Sequence, residues 1–481
     1  MKDMRRTKII CTLGPAVDNE AMMAKLIRGG MNCARFNFSH GTHESHLATY
    51  QRLRRVRDEM GAPVASILDT KGPEIRIRTF ADGPVTLAAG APFTLTTQDV
   101  VGDETKVSVN YANLHNEVSA GVRILIDDGL IELVVESVDG EEIHCTVRNG
   151  GPLSNHKSIN IPDVKIHLPS LTDKDREDLR FAAENDFDFI AASFVRKAED
   201  VRQIRQELDK WGGNNIRIIS KIENREGVDN LDEILEVSDG IMVARGDLGV
   251  EIPAHEVPRL QKRMIHKGLF AGKPVITATQ MLDSMMRNPR PTRAEVSDVA
   301  NAVYDGTSCV MLSGETAGGK YPLEALQTMD QIVRAAEADI HYWSRFQRDY
   351  EQNRQAAATI DNAMCHTACL SAMDLNASAI LCSTFSGHAA RAVSRFRPAC
   401  PIVGLTTQEK VRRQLSISWG ILPLLYGAVD STDRLFSLCV DVARKEGYIQ
   451  AGDTVVITAG VPLSARGTTN LLKAQVVGEP I

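Results

Sequence analysis

No stretch of this 481-residue chain approaches the roughly 18 apolar residues that a membrane-spanning helix needs. The basic opening, MKDMRRTKIICTLGP, holds an apolar run too short for a secretory signal. A basic excess is missing as well: Lys and Arg number 55 against 62 Asp and Glu, giving a net charge of −7. That excludes a general nucleic-acid binder, and an anionic substrate must be drawn by a local cluster against the overall field. There is no disulfide framework either. The nine cysteines are odd in number, and Cys11, Cys33, Cys309 and Cys382 lie inside apolar strand-like runs, as reduced core thiols do. Cys365 and Cys369 sit one helical turn apart around His366, but no second ligand pair is near enough to build a zinc site. These absences lead to the expectation of a cytoplasmic protein with no membrane and no nucleic acid among its partners.

What is present is an ordinary globular composition, 43% apolar and 24% charged, in a chain too long for one core. Eight short apolar runs recur: Lys8–Leu13, Asn32–Phe38, Val64–Leu68, Phe187–Phe194, Ile216–Lys221, Gly240–Ala244, Pro274–Ala278 and Cys309–Leu312. Their near-continuous hydrophobicity is what parallel strands covered on both faces require. The segments between them, such as Asn19–Gly29, Thr42–Met60, Asp173–Asn185 and Val257–Ala271, carry apolar residues at helical spacing. Eight such units predict a (β/α)8 barrel with its site at the carboxyl ends of the strands. Its two parts are residues 1–71 and 168–345.

Residues 72–167 break the rhythm with short alternating runs and Gly and Asp turns, which predicts an inserted all-β lid over the site. After residue 345 a second α/β pattern begins and occupies 346–481. There, Thr384, Phe385, Ser386, Gly387 and His388 form a strand-to-helix turn suited to cradling a phosphate, although such turns also serve as plain helix caps.

The pivot of the barrel runs from Arg217 to Pro253. Two strands end in charge, Lys221 and Glu223 after the first and Arg245 and Asp247 after the second, with a helix over Asn230–Val237 between them. Parallel strands joined by a helix end at the same sheet edge, so Glu223 and Asp247 converge with an ammonium beside them. Two hard oxygen ligands and a lysine suit a divalent cation holding a phosphorylated substrate; plain solvated ion pairs are the alternative. The Gly246–Gly249 run adds small residues that let amides approach an anion. Other polar groups crown the same edge: Arg35, Asn37, Ser39 and His40, then Asp69, Thr70, Lys71 and Arg76, then Ser193, Thr279, Gln280, Ser313 and Glu315.

Joining a phosphorylated acid to a nucleotide gathers negative charge. At an effective dielectric of about 20, each like-charge pair about 4 Å apart costs on the order of 4 kcal/mol. One lysine cannot offset that, whereas a divalent cation with Arg35, Lys221 and Arg76 can, as phosphoryl transfer requires. Asn37, Ser39, Asp69 and Thr70 make a second all-oxygen cluster, better matched to a monovalent cation. An Mg2+-dependent lyase or aldolase of enolate-forming type is the alternative chemistry, though it gives a lid and Arg76 no nucleotide to cover.

NFSHGTHESH (Asn37–His46), LDTKGPEIR (Leu68–Arg76), IISKIENREG (Ile218–Gly227) and MVARGDLGVEIP (Met242–Pro253) resemble the pyruvate kinase family, as do Thr277–Gly306 and Met311–Ala325. The resemblance implies transfer of a phosphoryl group from phosphoenolpyruvate to ADP, giving pyruvate and ATP. It implies that Lys221 stabilises the phosphoryl group and Glu223 and Asp247 hold Mg2+ or Mn2+. Gly246, Asp247 and Thr279 then place the substrate carboxylate, and Arg35 grips its phosphate. Asn37, Ser39, Asp69 and Thr70 would bind K+, with Asn37, His40, Arg76 and Lys157 facing the nucleotide. Thr279, backed by Ser313 and Glu315, would end a water chain that protonates the enolate. Glu74 resembles the potassium-requiring branch, while Ile77 stands where many members carry threonine. Ser158 replaces a usual glycine beside Lys157, and Ala389 a usual hydroxyl residue. Thr384, Ser386, Gly387 and His388, with the loop Gly460–Asn470, imply a phosphorylated allosteric effector: fructose 1,6-bisphosphate, AMP, or a hexose or pentose phosphate. The family also implies a homotetramer.

Overall fold

The computed structural model describes residues 4–354, 359–463 and 469–479. Eight strands close into a parallel barrel: β1 (Lys8–Thr12), β2 (Met31–Asn37), β3 (Ala65–Asp69), β4 (Phe189–Ala192), β5 (Arg217–Ile222), β6 (Gly240–Ala244), β7 (Val275–Ala278) and β8 (Cys309–Leu312). Each pairs with its sequence neighbours, and β8 returns to β1 through Lys8↔Cys309. Side chains two apart share a face. One set, including Ile10, Cys33, Ile67, Phe189, Ile219, Met242, Ile276 and Met311, fills the lumen. The other set, including Ile9, Leu68, Ile218, Val243 and Val310, meets the surrounding helices. Burial on both faces explains why these strands carry almost no polar residue before their carboxyl ends.

The helices start where their caps dictate. Thr42, Thr172 and Thr292 each close a capping box with the residue three positions on, opening helices His43–Glu59, Asp173–Glu184 and Arg293–Asp305. The stretch expected as one helix, Asn230–Val237, is Leu231–Val237, preceded by a separate short helix, Arg225–Asp229. Asn224 caps that extra turn by accepting from Gly227 N. The Gly246–Gly249 run lies within a short helix, Arg245–Glu251.

Between β3 and β4 stands a seven-stranded sheet that includes Arg123–Ile126, Ile131–Asp139 and Glu142–Asn149, with its own apolar core. Its base is two short strands, Ile75–Arg76 and Ser158–Asn160, paired through Ser158↔Arg76. The C-terminal part is a five-stranded sheet ordered Ile421–Leu425, Ile402–Thr406, Ala379–Ser383, Thr454–Ala459, Leu471–Val476, the last strand antiparallel. It docks below the barrel, where Ile417 enters the cluster that fills the lumen. Among the described residues no helix is long and apolar enough to cross a membrane.

Candidate active site

Lys221 closes β5 with its ammonium inside the barrel mouth, and three strands supply its partners. Nζ lies 3.0 Å from Asp69 Oδ1 at the end of β3, 2.7 Å from Ser193 Oγ just past β4, and 3.0 Å from Glu223 Oε1. Burial works against the ammonium, but Asp69 and Glu223 outweigh it and hold Lys221 above the usual lysine range. Asp69 is also claimed from the other side, where Arg35 Nε meets its Oδ2 at 2.6 Å. The Arg35 guanidinium donates to Thr12 Oγ1 at 3.1 Å too, and so is fixed across β1, β2 and β3. Burial raises Asp69, but Arg35 and Lys221 together pull it below the ordinary carboxylate range.

Glu223 is completely buried. One of its oxygens accepts from Phe194 N at 2.6 Å; the other faces Lys221 with no aligned hydrogen-bond donor among the described residues. Burial first, and then the charge of Asp247, push its carboxyl up to about 8 against the pull of Lys221. Asp247 is raised as well, again by burial first, and lies within hydrogen-bonding reach of Glu223. Glu74 and Asp128 of the lid add to that raising. Two acids, Glu223 buried and Asp247 half-buried, thus face one lysine that Asp69 already shares. Hard oxygen donors, a surplus of negative charge and an undersatisfied oxygen together fit a divalent cation. Among the described residues no group of three or more His, Cys, Asp or Glu converges in this way. These two carboxylates are what the protein, among the described residues, offers such an ion.

Asn37 and Asp69 are register partners on β2 and β3, which brings the second oxygen cluster together. Asn37 Oδ1 accepts from Ser39 N at 3.2 Å, and Thr70 Oγ1 accepts from Ser193 N at 3.2 Å. Since Asp69 is matched by two cations, this cluster is nearly neutral and fits a monovalent ion of low charge density. His40 is exposed on the rim and its carbonyl accepts from His46.

Thr279 follows β7 with φ of 75°, and Gln280 follows with 53°. Left-handed backbone at a β-branched residue is strained, of order 1–3 kcal/mol. Gly246 makes room for it: a Cβ there would stand 2.8 Å from the Thr279 methyl. Glu315 is committed elsewhere, accepting from Leu282 N at 3.0 Å and Ser313 N at 2.7 Å. It clamps two loops, one oxygen to each backbone amide.

Arg76 and Lys157 stand on the lid base and are each engaged there. Arg76 pairs with Glu74 at 2.7 Å and donates to the His156 carbonyl; Lys157 pairs with Asp127 at 2.8 Å. Ser158 Oγ donates to Asp128 at 3.1 Å, so the residue replacing glycine ties down the turn next to Lys157. A cavity of about 340 Å3 opens between lid and barrel, with Glu74, Asn160, Phe194 and Asp247 in its wall. Lys221 and Arg35 lie outside that wall, in the network behind it.

Far from the mouth, Thr384, Ser386 and His388 line a cavity of about 360 Å3 with Thr407, Tyr426, Gly460 and Thr469. Gly387 turns at φ of 80°. His388 is paired with Asp361 at 2.8 Å, and the Ser386 carbonyl accepts from both Arg217 and Arg391. Residues 464–468 of the loop Gly460–Asn470 lie outside the described residues. Sequence reasoning placed Ser193 on the rim without a role, and it did not find the Phe194 amide. A backbone N–H leaves no mark in a sequence.

The family described as "Pyruvate kinase, barrel domain" matches residues 4–326, and "Pyruvate kinase, alpha/beta domain" matches 362–475. A pyruvate kinase of Clostridium acetobutylicum is 50% identical over 475 residues, 98% of this chain and 100% of that one. One from Geobacillus stearothermophilus is 48% identical over 479 residues, covering 99% and 81% of the two chains. Among solved structures, a pyruvate kinase from Cryptosporidium parvum superposes with a TM-score of 0.94 at 40% identity, covering 98% of this chain and 96% of its own.

Proposed function

This chain belongs to the pyruvate kinase family and is a phosphotransferase acting between phosphoenolpyruvate and ADP; from that premise we propose how its own residues divide the work. The observation that carries the reading is the buried Asp69–Lys221–Glu223 network at the strand ends, with Asp247 beside it. Members of this family in general depend on Mg2+ and K+. Here Glu223 and Asp247 would hold Mg2+ or Mn2+, which supplies positive charge to oxygens that become more negative as the phosphoryl group moves. Asn37, Ser39, Asp69 and Thr70 would hold K+.

In the reaction the bond between phosphorus and the enol oxygen breaks, and a β-phosphate oxygen of ADP forms the new one. The enolate keeps the electron pair and then takes a proton on its methylene carbon, giving pyruvate. Lys221 faces the phosphoryl group in flight, and its pinning by Asp69 and Ser193 means little reorganisation is needed. Arg35 grips the phosphate, while Gly246, Asp247 and Thr279 seat the carboxylate. Thr279 lies at the end of the path that delivers the proton. Asn37, His40, Arg76 and Lys157 face the nucleotide, which requires Arg76 and Lys157 to turn partly from Glu74 and Asp127.

The same reading divides the chain into a catalytic barrel (1–71 and 168–345), a lid (72–167) and an effector-binding part (346–481). Thr384, Ser386, Gly387 and His388 receive the phosphate of a sugar phosphate or nucleotide, and the protein works as a cytoplasmic homotetramer. Purified protein given phosphoenolpyruvate, ADP and Mg2+ should form pyruvate, faster with K+; no product with both ions and a panel of sugar phosphates defeats the reading. Lys221→Met should lower kcat by about 100-fold or more while Mg2+ still binds. Near-normal turnover in that variant removes Lys221 from its role. The lyase alternative predicts no heat of ADP binding by calorimetry.

A further inference from the structure

The strained turn after β7 raises a question of cause. Thr279 and Gln280 are consecutive left-handed residues, and neither is glycine. Such a backbone persists only where its surroundings over-determine it. Glu315 holds the far side of the turn through Leu282 N. The near side is held by Arg245, the first residue past β6. Its guanidinium donates to the Thr279 carbonyl at 2.8 Å and to the Ala278 carbonyl at 3.2 Å, with Met281 Sδ at 2.8 Å. The opposite edge of the same fork is anchored. Nη1 meets Asp298 Oδ1 at 2.6 Å, and Gln261 Oε1 at 3.4 Å. Gln261 is itself buried and donates to Asp305 at 3.4 Å. Arg245 is thus spoken for on every side by groups that are not substrate. A planar fork with five donors in fixed directions spans two carbonyls on one edge and a carboxylate on the other, a spread that the single nitrogen of an ammonium does not cover.

Three consecutive residues therefore set one half of the site. Arg245 fixes the Thr279 backbone, Gly246 gives space to its methyl group, and Asp247 supplies a carboxylate. We propose that Arg245, braced by Asp298, is a positioning residue that holds Thr279 in its left-handed conformation and so aims the threonine hydroxyl at the reacting acid. The inference rests on the role given to Thr279 above and adds the group through which that role is maintained. Arg245 touches no reacting atom. It acts through a turn whose relaxed form would point the hydroxyl elsewhere.

A double-mutant cycle in the full-length protein tests this, with pyruvate formation as the readout. Arg245→Met should lower kcat by on the order of 10- to 100-fold with a much smaller change in the KM for phosphoenolpyruvate. In a Thr279→Ala background the same change should cost little further, because the group being aimed is gone. Asp298→Asn, which leaves the guanidinium in place but loosens its brace, should give a milder loss of the same kind and serves if Arg245→Met folds poorly. Arg245→Lys should not restore the wild-type rate. Two failures are distinguishable. If Thr279→Ala leaves kcat unchanged, the role of Thr279 falls. If Thr279→Ala is impaired but Arg245→Met costs as much in that background as in the wild type, Arg245 acts independently of Thr279 and the positioning role is overturned.

Discussion

Glu223 and Asp247 share one ammonium, and Asp69 has the stronger hold on it from the far side. The deficit shows in the protonation of Glu223, which burial and Asp247 raise from 4.5 to about 8. Between those values the native protein keeps a proton that the unfolded chain has released. More protons bound in the native state mean that stability falls as pH rises through that window, and the loss is complete above about 8. A divalent cation competes with the same proton. Its affinity should climb with pH, by up to about tenfold per unit, and level off once Glu223 is ionised. Isothermal titration of Mg2+ from pH 6 to 9, paired with thermal scans in chelator and in Mg2+, checks both halves. The chelated protein should lose Tm toward alkaline pH, Mg2+ should remove most of that slope, and Glu223→Gln should flatten both curves. A Mg2+ affinity independent of pH would place the proton elsewhere. Lys221, Glu223 and Asp247 were legible in the sequence because each follows a buried run directly, and parallel strands bring such ends to one edge. The commitment of Glu315 to two backbone amides was not legible, since only the folded loops bring Leu282 N and Ser313 N to it.

At the scale of elements, the lid leaves the barrel through one glycine. Gly72 has φ of 71°, its N–H donates to the buried Asp175 at 2.9 Å, and a Cβ on it would stand 2.8 Å from Ser193 Cβ and 2.9 Å from the Phe194 ring. Those two neighbours are the residues that hold Lys221 and Glu223. Gly72→Ala should therefore act twice, costing about 1–3 kcal/mol through the strained φ and the overlap and lowering kcat by disturbing the lysine network. Parallel measurement of Tm and turnover decides it: a variant with normal kcat would show that Ser193 and Phe194 can yield without consequence. The eight barrel strands were readable because burial on both faces makes each a near-continuous apolar run. The lid base was not. Ile75–Arg76 and Ser158–Asn160 are two and three residues long, too short to show any period, and exist only because they pair with each other. In the C-terminal part, Ile421–Leu425 carries a proline, and Leu471–Val476 is a half-exposed edge strand. Helices Pro322–Asp339, Tyr342–Arg354 and Thr432–Lys445 are left unassigned by the sequence reading, although in the last of them Leu435, Phe436, Cys439, Val440 and Ala443 recur at helical spacing.

The whole molecule is joined at the amino end of the barrel, opposite the catalytic mouth. Ile417 enters the lumen cluster, Lys8 Nζ donates to the Ile421 carbonyl at 2.7 Å, and Ser416 Oγ donates to the Asn32 carbonyl at 2.9 Å. The charged centre of this seam is Arg413. Its Nε meets Asp188 Oδ1 at 2.9 Å and Nη2 meets Asp186 at 2.9 Å, with Gln414 donating to the Asp188 carbonyl at 3.1 Å. Asp188 is completely buried just before β4; its other oxygen accepts from Ser66 N and Oγ, and Arg57 is 3.9 Å away. A buried pair of this kind adds little net stability over a well-packed apolar substitute, yet removing one partner strands the other charge. Arg413→Met should accordingly cost about 3–5 kcal/mol, whereas Asp188→Asn with Arg413→Met should recover part of it. Because the arginine ties the C-terminal sheet to β4, the loss should also split thermal unfolding, with the C-terminal part melting before the barrel. Differential scanning calorimetry of the two variants separates the outcomes. A single transition at the wild-type temperature in Arg413→Met would mean that the apolar contacts around Ile417 hold the two parts together without this charge.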